Sequence, residues 1–248
     1  MTESFSPILV SEEDDIEEVE DDIEEARQLV YDFEPLPIMK LSSGGYVSFR
    51  PFQANDREQV QGLHEDWFPV RYKQEFYDDL VHQRMFSSGE NLFTYAAVYH
   101  DDDDKNDHDA AQQIPDNDAE HAQSCSSPCI SSRDKSENED SIVACVVGSF
   151  VHVSRLDNTT TSLLISNPSR YTRLFYIMTL GTETEFRHAR LATTLVKKCI
   201  QIVENDSQCG ALYLHVITFN TAAIQLYERL GFYRVKEIEG KNNLISHP

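Results

Sequence analysis

Basic side chains are scarce in this sequence: 21 Lys and Arg stand against 43 Asp and Glu, and the formal net charge is −22. Two segments carry the whole excess, because residues 11–34 hold 13 acidic and 1 basic side chains and residues 101–140 hold 13 acidic and 3 basic ones. Nucleic acid attracts Lys and Arg, so we expect no nucleic-acid partner. A basic protein partner, such as a histone tail, is compatible with these acidic segments.

Long apolar runs are also missing. The longest, "IVACVVGSFVHV", is too short and too polar to cross a bilayer, and the first ten residues lack the basic start of a secretory leader. The five cysteines are an odd number, and Cys145 and Cys199 lie in apolar patterns. Reduced buried thiols of this kind are typical of a cytoplasmic protein, which is the location that we expect.

A zinc site is not expected either. Four residues of the acidic segment could in principle hold a metal: His108, His121, Cys125 and Cys129. Their order and spacing fit no usual zinc finger, and polar low-complexity segments collect such residues freely.

The rest of the chain alternates between strand-like and helix-like patterns. We predict a disordered acidic tail over residues 1–42, a disordered acidic insertion in a hairpin over residues 100–140, and a short tail over residues 241–248. The order β-α-α-β-β-β-α-β-α-β over residues 43–240 predicts a single α/β domain, with a mixed central sheet flanked by helices.

The segment "EFRHARLATTL", residues 185–195, leads from a strand-like run into a helix-like run. The first N–H groups of such a helix lack partners and, with the helix dipole, form a site for a phosphate. Where glycine would let the backbone approach the phosphate closely, this sequence has Arg190. On its own the pattern also fits an ordinary helix start.

Three further residues, each taken alone, have an ordinary structural explanation. They are Tyr176 in the strand-like run "LFYIMTLG", His215 in the strand-like run "LYLHVIT", and Asn220 as the N-cap of the helix "NTAAIQLYERLGF". In this order, together with the turn, they resemble the acetyl-CoA-binding core of the GCN5-related N-acetyltransferases, the GNAT family. With the segment "DWFPVRY" added, the sequence resembles the NatF-type, N-terminal acetylating branch of that family. The resemblance covers residues 46–238 without the acidic insertion.

The resemblance implies a role for each matching residue. Tyr176 and His215 match the catalytic pair, and Phe68, Pro69 and Tyr72 match the segment that contacts the peptide substrate. A backbone N–H near Met178 would stabilise the developing oxyanion. The residues that match the acetyl-CoA site are Leu180, Gly181, Thr182, Arg187, His188, Ala189, Arg190, Leu191, Ala192, Thr193, Asn220, Tyr227, Glu228, Arg229 and Leu230.

The resemblance also implies the reaction, in which acetyl-CoA is the co-substrate and no metal takes part. A protein or peptide α-amine attacks the thioester directly, so no cysteine nucleophile is required. His215 would take the amine proton through a water molecule, and Tyr176 would relay it or protonate the departing thiolate. The expected substrates begin with Met followed by a hydrophobic residue or Lys, and the protein is expected to be a monomer. The alternatives are a lysine (histone) acetyltransferase and a non-catalytic acetyl-CoA-binding protein.

Two departures from the family pattern affect these expectations. Arg190 should weaken cofactor binding, although the cost is small if its φ is helical. The alternative is that its guanidinium pairs with the phosphate and helps to hold it. The chain ends in "EIEGKNNLISHP", where the family continues with a seventh strand and a membrane-associating tail. We therefore expect an unpaired sheet edge and half a substrate groove, in a truncated isoform, an incomplete gene product or a short enzyme. Membrane association, on the cytosolic face of the Golgi, remains the alternative to a cytoplasmic location.

Overall fold

The computed structural model describes residues 35–101, 141–165, 167, 169–238 and 242–247. The acidic tail up to residue 34 and the insertion over residues 102–140 lie outside the described residues, and so do His108, His121, Cys125 and Cys129. Their predicted disorder and their predicted lack of a metal therefore stay predictions.

In the described residues, eight strands form one sheet in the order β1-β2-β3-β4-β5-β6-β8-β7. Neighbouring strands are antiparallel except β5 and β6, which are parallel. The sheet confirms the predicted mixed α/β class. The strands are β1 (Met39–Lys40), β2 (Tyr46–Arg50), β3 (Leu92–His100), β4 (Ser141–His152), β5 (Arg173–Thr182), β6 (Cys209–Ile217), β7 (Tyr233–Ile238) and β8 (Asn242–His247).

Five described helices cover the two faces of the sheet: α1 (Arg57–Trp67), α2 (Gln74–His82), α3 (Asn158–Leu164), α4 (Leu191–Asn205) and α5 (Thr221–Arg229). The helices α4 and α5 pack on one face, where Leu195 and Tyr227 join a core with Phe175. The other face carries α1 and α2 near β3 and β4, and α3 near β5, β6 and β8. Because both faces are covered, β4 is apolar almost throughout instead of alternating.

The centre of the sheet is irregular at one point. The ladder between β5 and β6 ends at Ile177 and Leu214, whereas β5 stays paired with β4 as far as Thr182. The register between β4 and β5 shifts between Val147 and Gly148, so Met178 is an extra residue in β5, a β-bulge. The carboxyl-terminal end of β5 is therefore held by β4 on one edge only, at the position where parallel strands commonly bind ligands.

The expectation of a missing last strand is wrong. Residues Asn242–His247, which we assigned to a short tail, form β8, and β8 pairs with both β6 and β7. The pattern is hard to recognise in the sequence because only Leu244 and Ile245 are apolar, and they point to opposite faces of the sheet. Since β8 pairs with the backbone groups along the edge of β6, the predicted unpaired edge does not exist at that strand.

The described residues include a strand before residue 43, within the segment that we predicted as a disordered tail. Met39 pairs with Val47, and Lys40 pairs with Tyr46, across a turn that contains two glycines. Gly44 and Gly45 both have positive φ, of 101° and 74°. Glycine adopts such angles without strain, so the turn places the short strand β1 beside β2.

Candidate active site

The structure brings the predicted catalytic pair together. Tyr176 on β5 faces Tyr213 on β6, and their rings stack with centroids 4.9 Å apart. His215 lies two residues beyond Tyr213 and therefore projects from the same side of β6. Its Nδ1 is 3.2 Å from the Tyr176 hydroxyl oxygen. The pair thus stands at the last rungs of the parallel ladder, where β5 and β6 stop pairing.

The surroundings keep both members of the pair neutral near pH 7. Burial raises the pKa of the Tyr176 phenol, and the nearby Tyr72 phenol raises it further, so the hydroxyl stays protonated. His215 is exposed, but the strands and aromatic rings around its imidazole remove part of its hydration and lower its pKa. A neutral imidazole beside a protonated phenol can accept one proton and donate another.

The turn before α4 is built from backbone in an unusual conformation. After a short 3₁₀ turn at Thr184–Phe186, His188 and Arg190 both have positive φ, 66° and 64°. Arg190 is the N-cap of α4, and its carbonyl accepts the N–H of Thr194 at 2.9 Å. The φ of Arg190 is therefore not helical, so the condition for a small cost is not met: the left-handed conformation costs a non-glycine residue about 1 kcal/mol.

The first N–H groups of α4 remain suited to an anion. No side chain caps this helix, and the N–H groups of Leu191, Ala192 and Thr193 belong to its first turn, where intrahelical acceptors are lacking. Arg187, His188 and Arg190 are exposed around the turn, and Ala189 is half-buried. The turn therefore combines unpaired donors, the positive end of a helix dipole and two arginine side chains.

The remaining residues of the predicted cofactor site have mixed environments. Leu180, Gly181 and Thr182 lie on β5 beyond its last rung with β6. Asn220 caps α5, because its Oδ1 accepts the N–H of Ala223 at 3.2 Å. At the other end of α5, Glu228 and Arg229 are exposed and Leu230 is half-buried. Tyr227 is buried under α5, in contact with Phe232, as a core residue would be.

The predicted peptide-contacting residues lie on the face that carries Tyr176. Phe68 and Pro69 follow α1 directly, and Tyr72 stacks on Phe76 with centroids 4.4 Å apart. Tyr72 and the bulged Met178 pack on the same apolar cluster. Phe68 is half-buried and Pro69 is exposed. The structure therefore places an apolar, partly open surface on the face of the sheet that carries Tyr176.

Comparison with known proteins decides the family. The Acetyltransferase (GNAT) family matches residues 96–232, more than half of the chain. This chain belongs to the GNAT family. The predicted resemblance is thereby confirmed.

Two curated proteins are similar in sequence to this chain over most of its length. Histone acetyltransferase MCC1 of Arabidopsis thaliana is 28% identical over 195 residues, which is 78% of this chain and 63% of that protein. N-alpha-acetyltransferase 60 of Xenopus tropicalis is 25% identical over 182 residues, 73% of this chain and 57% of that protein. The chain thus spans less than two thirds of the length of these curated relatives.

A solved GNAT structure has the same fold. Arabidopsis thaliana NAA60 in complex with acetyl-CoA matches with a TM-score of 0.55 and 24% identity, over 81% of this chain and 97% of that one. The match shows the shared fold.

Sequence reasoning assigned no role to three residues that contact the candidate site: Tyr213 stacks on Tyr176, His64 bonds Thr179, and Trp67 packs on Gly181. The spacing Tyr-x-His in β6 indicates that Tyr213 and His215 share a face of the strand. His64 and Trp67 precede the "FPVRY" segment in an amphipathic helix, but nothing in the pattern tells which strand they touch.

Two further observations concern the described part of the chain alone. None of its helices has the length and apolar character needed to cross a membrane. No group of three or more His, Cys, Asp or Glu side chains in the same residues is arranged to hold a metal ion.

Proposed function

We propose that this protein transfers the acetyl group of acetyl-CoA to the α-amine at the N-terminus of a protein or peptide. The observation that carries the proposal is the hydrogen-bonded pair of Tyr176 and His215 at the point where β5 and β6 stop pairing. Membership of the GNAT family and the likeness to N-alpha-acetyltransferase 60 support it.

The residues present suit acetyl-CoA in two places. The edge of β5 over Leu180–Thr182 is not paired with β6, so its backbone groups are available to the amides of the pantetheine arm. The first turn of α4, without a side-chain cap, offers N–H groups to the pyrophosphate. When bound there, acetyl-CoA supplies the activated acyl group, and this chain supplies donors, orientation and proton transfer.

Proton transfer falls to the catalytic pair. An α-amine has a pKa of about 8, so a modest base is sufficient to free its lone pair. The neutral His215 takes that proton through Tyr176 or through a water molecule at Nε2, depending on the tautomer. Tyr176, whose pKa is raised, is protonated at the start of the reaction, transfers its proton to the leaving thiolate and regains a proton from the imidazolium of His215. The N–H of the bulged Met178 serves the acyl oxygen as negative charge develops on it.

The substrate preference that fits this surface is an N-terminal Met followed by a hydrophobic residue or Lys. Phe68, Tyr72 and Met178 are apolar or aromatic, and Met178 lies two residues beyond Tyr176 on β5, so they suit the flexible Met side chain. A lysine (histone) acetyltransferase is the second candidate, because one relative is named a histone acetyltransferase.

The test uses the full chain, acetyl-CoA and a peptide that begins Met-Lys, with mass spectrometry of the product. A second peptide of the same sequence carries a blocked α-amine. Transfer to the first peptide alone supports the proposal, and transfer to lysine in both supports the second candidate. Thermal stabilisation by acetyl-CoA without transfer to either peptide contradicts both and identifies a cofactor-binding protein.

A further inference from the structure

His64 is a polar residue completely buried in the last turn of α1. Its imidazole is surrounded by aromatic rings at centroid distances of 5.3 to 6.3 Å, from Trp67, Phe68, Tyr72, Phe76 and Tyr77. Burying an imidazole among apolar groups is unfavourable unless both nitrogens find partners. Both do: Nδ1 lies 2.9 Å from the Val60 carbonyl oxygen, and Nε2 lies 3.1 Å from the Thr179 hydroxyl.

The partners determine the tautomer of His64. The Val60 carbonyl can only accept, so Nδ1 carries the hydrogen and donates it. Burial lowers the pKa of His64, and the neutral ring therefore leaves Nε2 as an acceptor. The Thr179 hydroxyl must then donate to Nε2. This bond is directional and joins α1 to β5 across 115 residues of sequence.

Thr179 occupies a sensitive place in the sheet. It directly follows the bulged Met178, in the part of β5 that has lost its ladder to β6 and keeps only β4. Two residues later, a Cβ added to Gly181 would lie 1.9 Å from the Trp67 ring, so the indole packs directly on the strand. The last turn of α1 thus contacts β5 at Thr179 and Gly181, on the same face.

We propose that His64 is a positioning residue, which holds the bulge at Met178 through Thr179 and thereby aligns Leu180–Thr182 with Tyr176. The chain runs from Trp67 straight into Phe68, so the same helical turn also anchors the surface proposed for the peptide. The effect on acetyl transfer rests on the proposed function, whereas the hydrogen bond between His64 and Thr179 does not.

Three variants test the bond without removing the histidine. Thr179→Val deletes the hydroxyl and keeps the shape, and Thr179→Ser keeps the hydroxyl. Thr94→Val is the matched control, because Thr94 is buried in the same cross-sheet row on β3 and its hydroxyl accepts the Phe52 N–H at 3.4 Å.

Kinetics with acetyl-CoA and the Met-Lys peptide give the first readout. Thr179→Val should lower kcat by about tenfold or more, because a small displacement of the reacting groups is enough to slow transfer. KM for acetyl-CoA should change far less than kcat. Thr179→Ser should retain wild-type kcat within about twofold, and Thr94→Val should retain it while losing similar thermal stability. Equal losses of kcat in Thr179→Val and Thr94→Val at equal loss of stability would overturn the positioning role.

Hydrogen exchange of the free protein gives a readout that needs no activity. Thr179→Val should accelerate exchange in a peptide covering residues 178–182 and leave β3 unchanged, whereas Thr179→Ser should match the wild type. Unchanged exchange in Thr179→Val would overturn the proposal even if kcat fell. If the wild type does not acetylate α-amines, the proposed function fails, but exchange still decides whether the bond holds the bulge.

Discussion

The two halves of the proposed site are held in different ways. Tyr176 and His215 act through side chains, and the register of two paired strands sets their separation. The turn before α4 acts through backbone N–H groups, and its shape depends on left-handed φ angles at His188 and Arg190. The first half is supported by many ladder hydrogen bonds, whereas the second adopts angles that its own residues disfavour. We therefore expect changes in the pair to affect transfer and changes in the turn to affect binding and stability.

Substitutions of Tyr176 and His215 should have the largest effect, and they should separate the proposed catalytic pair from the turn before α4. His215→Ala should lower kcat by about 100-fold, the lower range of general-base contributions, and Tyr176→Phe should lower it by less. Acetyl-CoA affinity, measured by calorimetry, should change little in either variant. His100→Ala is the control, since this histidine lies on β3, three strands away from β6, and its imidazole bonds Ser48 on β2. An affinity loss as large as the kcat loss would mean that the pair binds the cofactor.

Gly181 lies between the two halves, and its substitution should reduce stability. In Gly181→Ala the new methyl group would overlap the Trp67 ring, so the indole or the strand has to move. We expect a loss of about 1–3 kcal/mol in the free energy of unfolding, as in other overpacked sites, together with weaker acetyl-CoA binding.

The matched glycine for this experiment is Gly62 on α1. A Cβ there meets nothing within 4 Å, so Gly62→Ala should stabilise the helix by about 0.5–1 kcal/mol. If chemical denaturation shows the same gain for Gly181→Ala, the close packing of Trp67 on β5 is not rigid.

The sequence predicts the regular parts of this molecule well and the irregular parts poorly. Apolar periodicity indicates β2 to β7 and the helices α1, α2, α4 and α5, but not the short helix α3. The family resemblance pairs Tyr176 with His215. Apolar periodicity does not reveal β8, because "NNLISH" is largely polar. The segment becomes a strand only when β6 and β7 supply partners on both sides. Long-range context of this kind overrides local propensity.

Two features of the site share that limit. The left-handed φ of Arg190 belongs to the turn around it, and the type of side chain does not indicate that conformation. The bond from His64 to Thr179 joins residues 115 positions apart, and neither residue carries a local signal for the other. Both depend on packing that a single sequence does not encode locally.

Arg190 allows backbone strain and side-chain charge to be separated in the turn. Arg190→Gly removes the left-handed penalty and should stabilise the fold by about 1 kcal/mol, and it should bind acetyl-CoA more tightly because the backbone can approach the phosphate. Arg190→Ala keeps the left-handed backbone penalty and removes the guanidinium, so neither the stability nor the acetyl-CoA affinity should increase. Calorimetry and chemical denaturation measure the two effects.

The control for Arg190 is Gln83, the left-handed C-cap of α2 with φ of 55°. Gln83→Gly relieves the same left-handed conformation but loses the hydrogen bond from the Gln83 Nε2 to the Phe52 carbonyl, so its gain in stability should be smaller, and acetyl-CoA affinity should not change. If Arg190→Gly and Arg190→Ala both lose affinity to the same extent, the guanidinium binds the cofactor phosphate and outweighs the backbone strain.

The smallest expected effect is a change in the pH dependence of kcat/KM where the His215 imidazole becomes protonated. Burial lowers the pKa of His215 below its ordinary value of 6.5, so the imidazole stays neutral to lower pH than a free histidine would. The α-amine must also be neutral, and its pKa is about 8. A plot of log kcat/KM against pH should therefore have a slope of one below pH 8 and steepen to two only below pH 6.5. The steepening should vanish in His215→Ala; if it persists there, another buried group such as His64 produces it, and His215 is not the base.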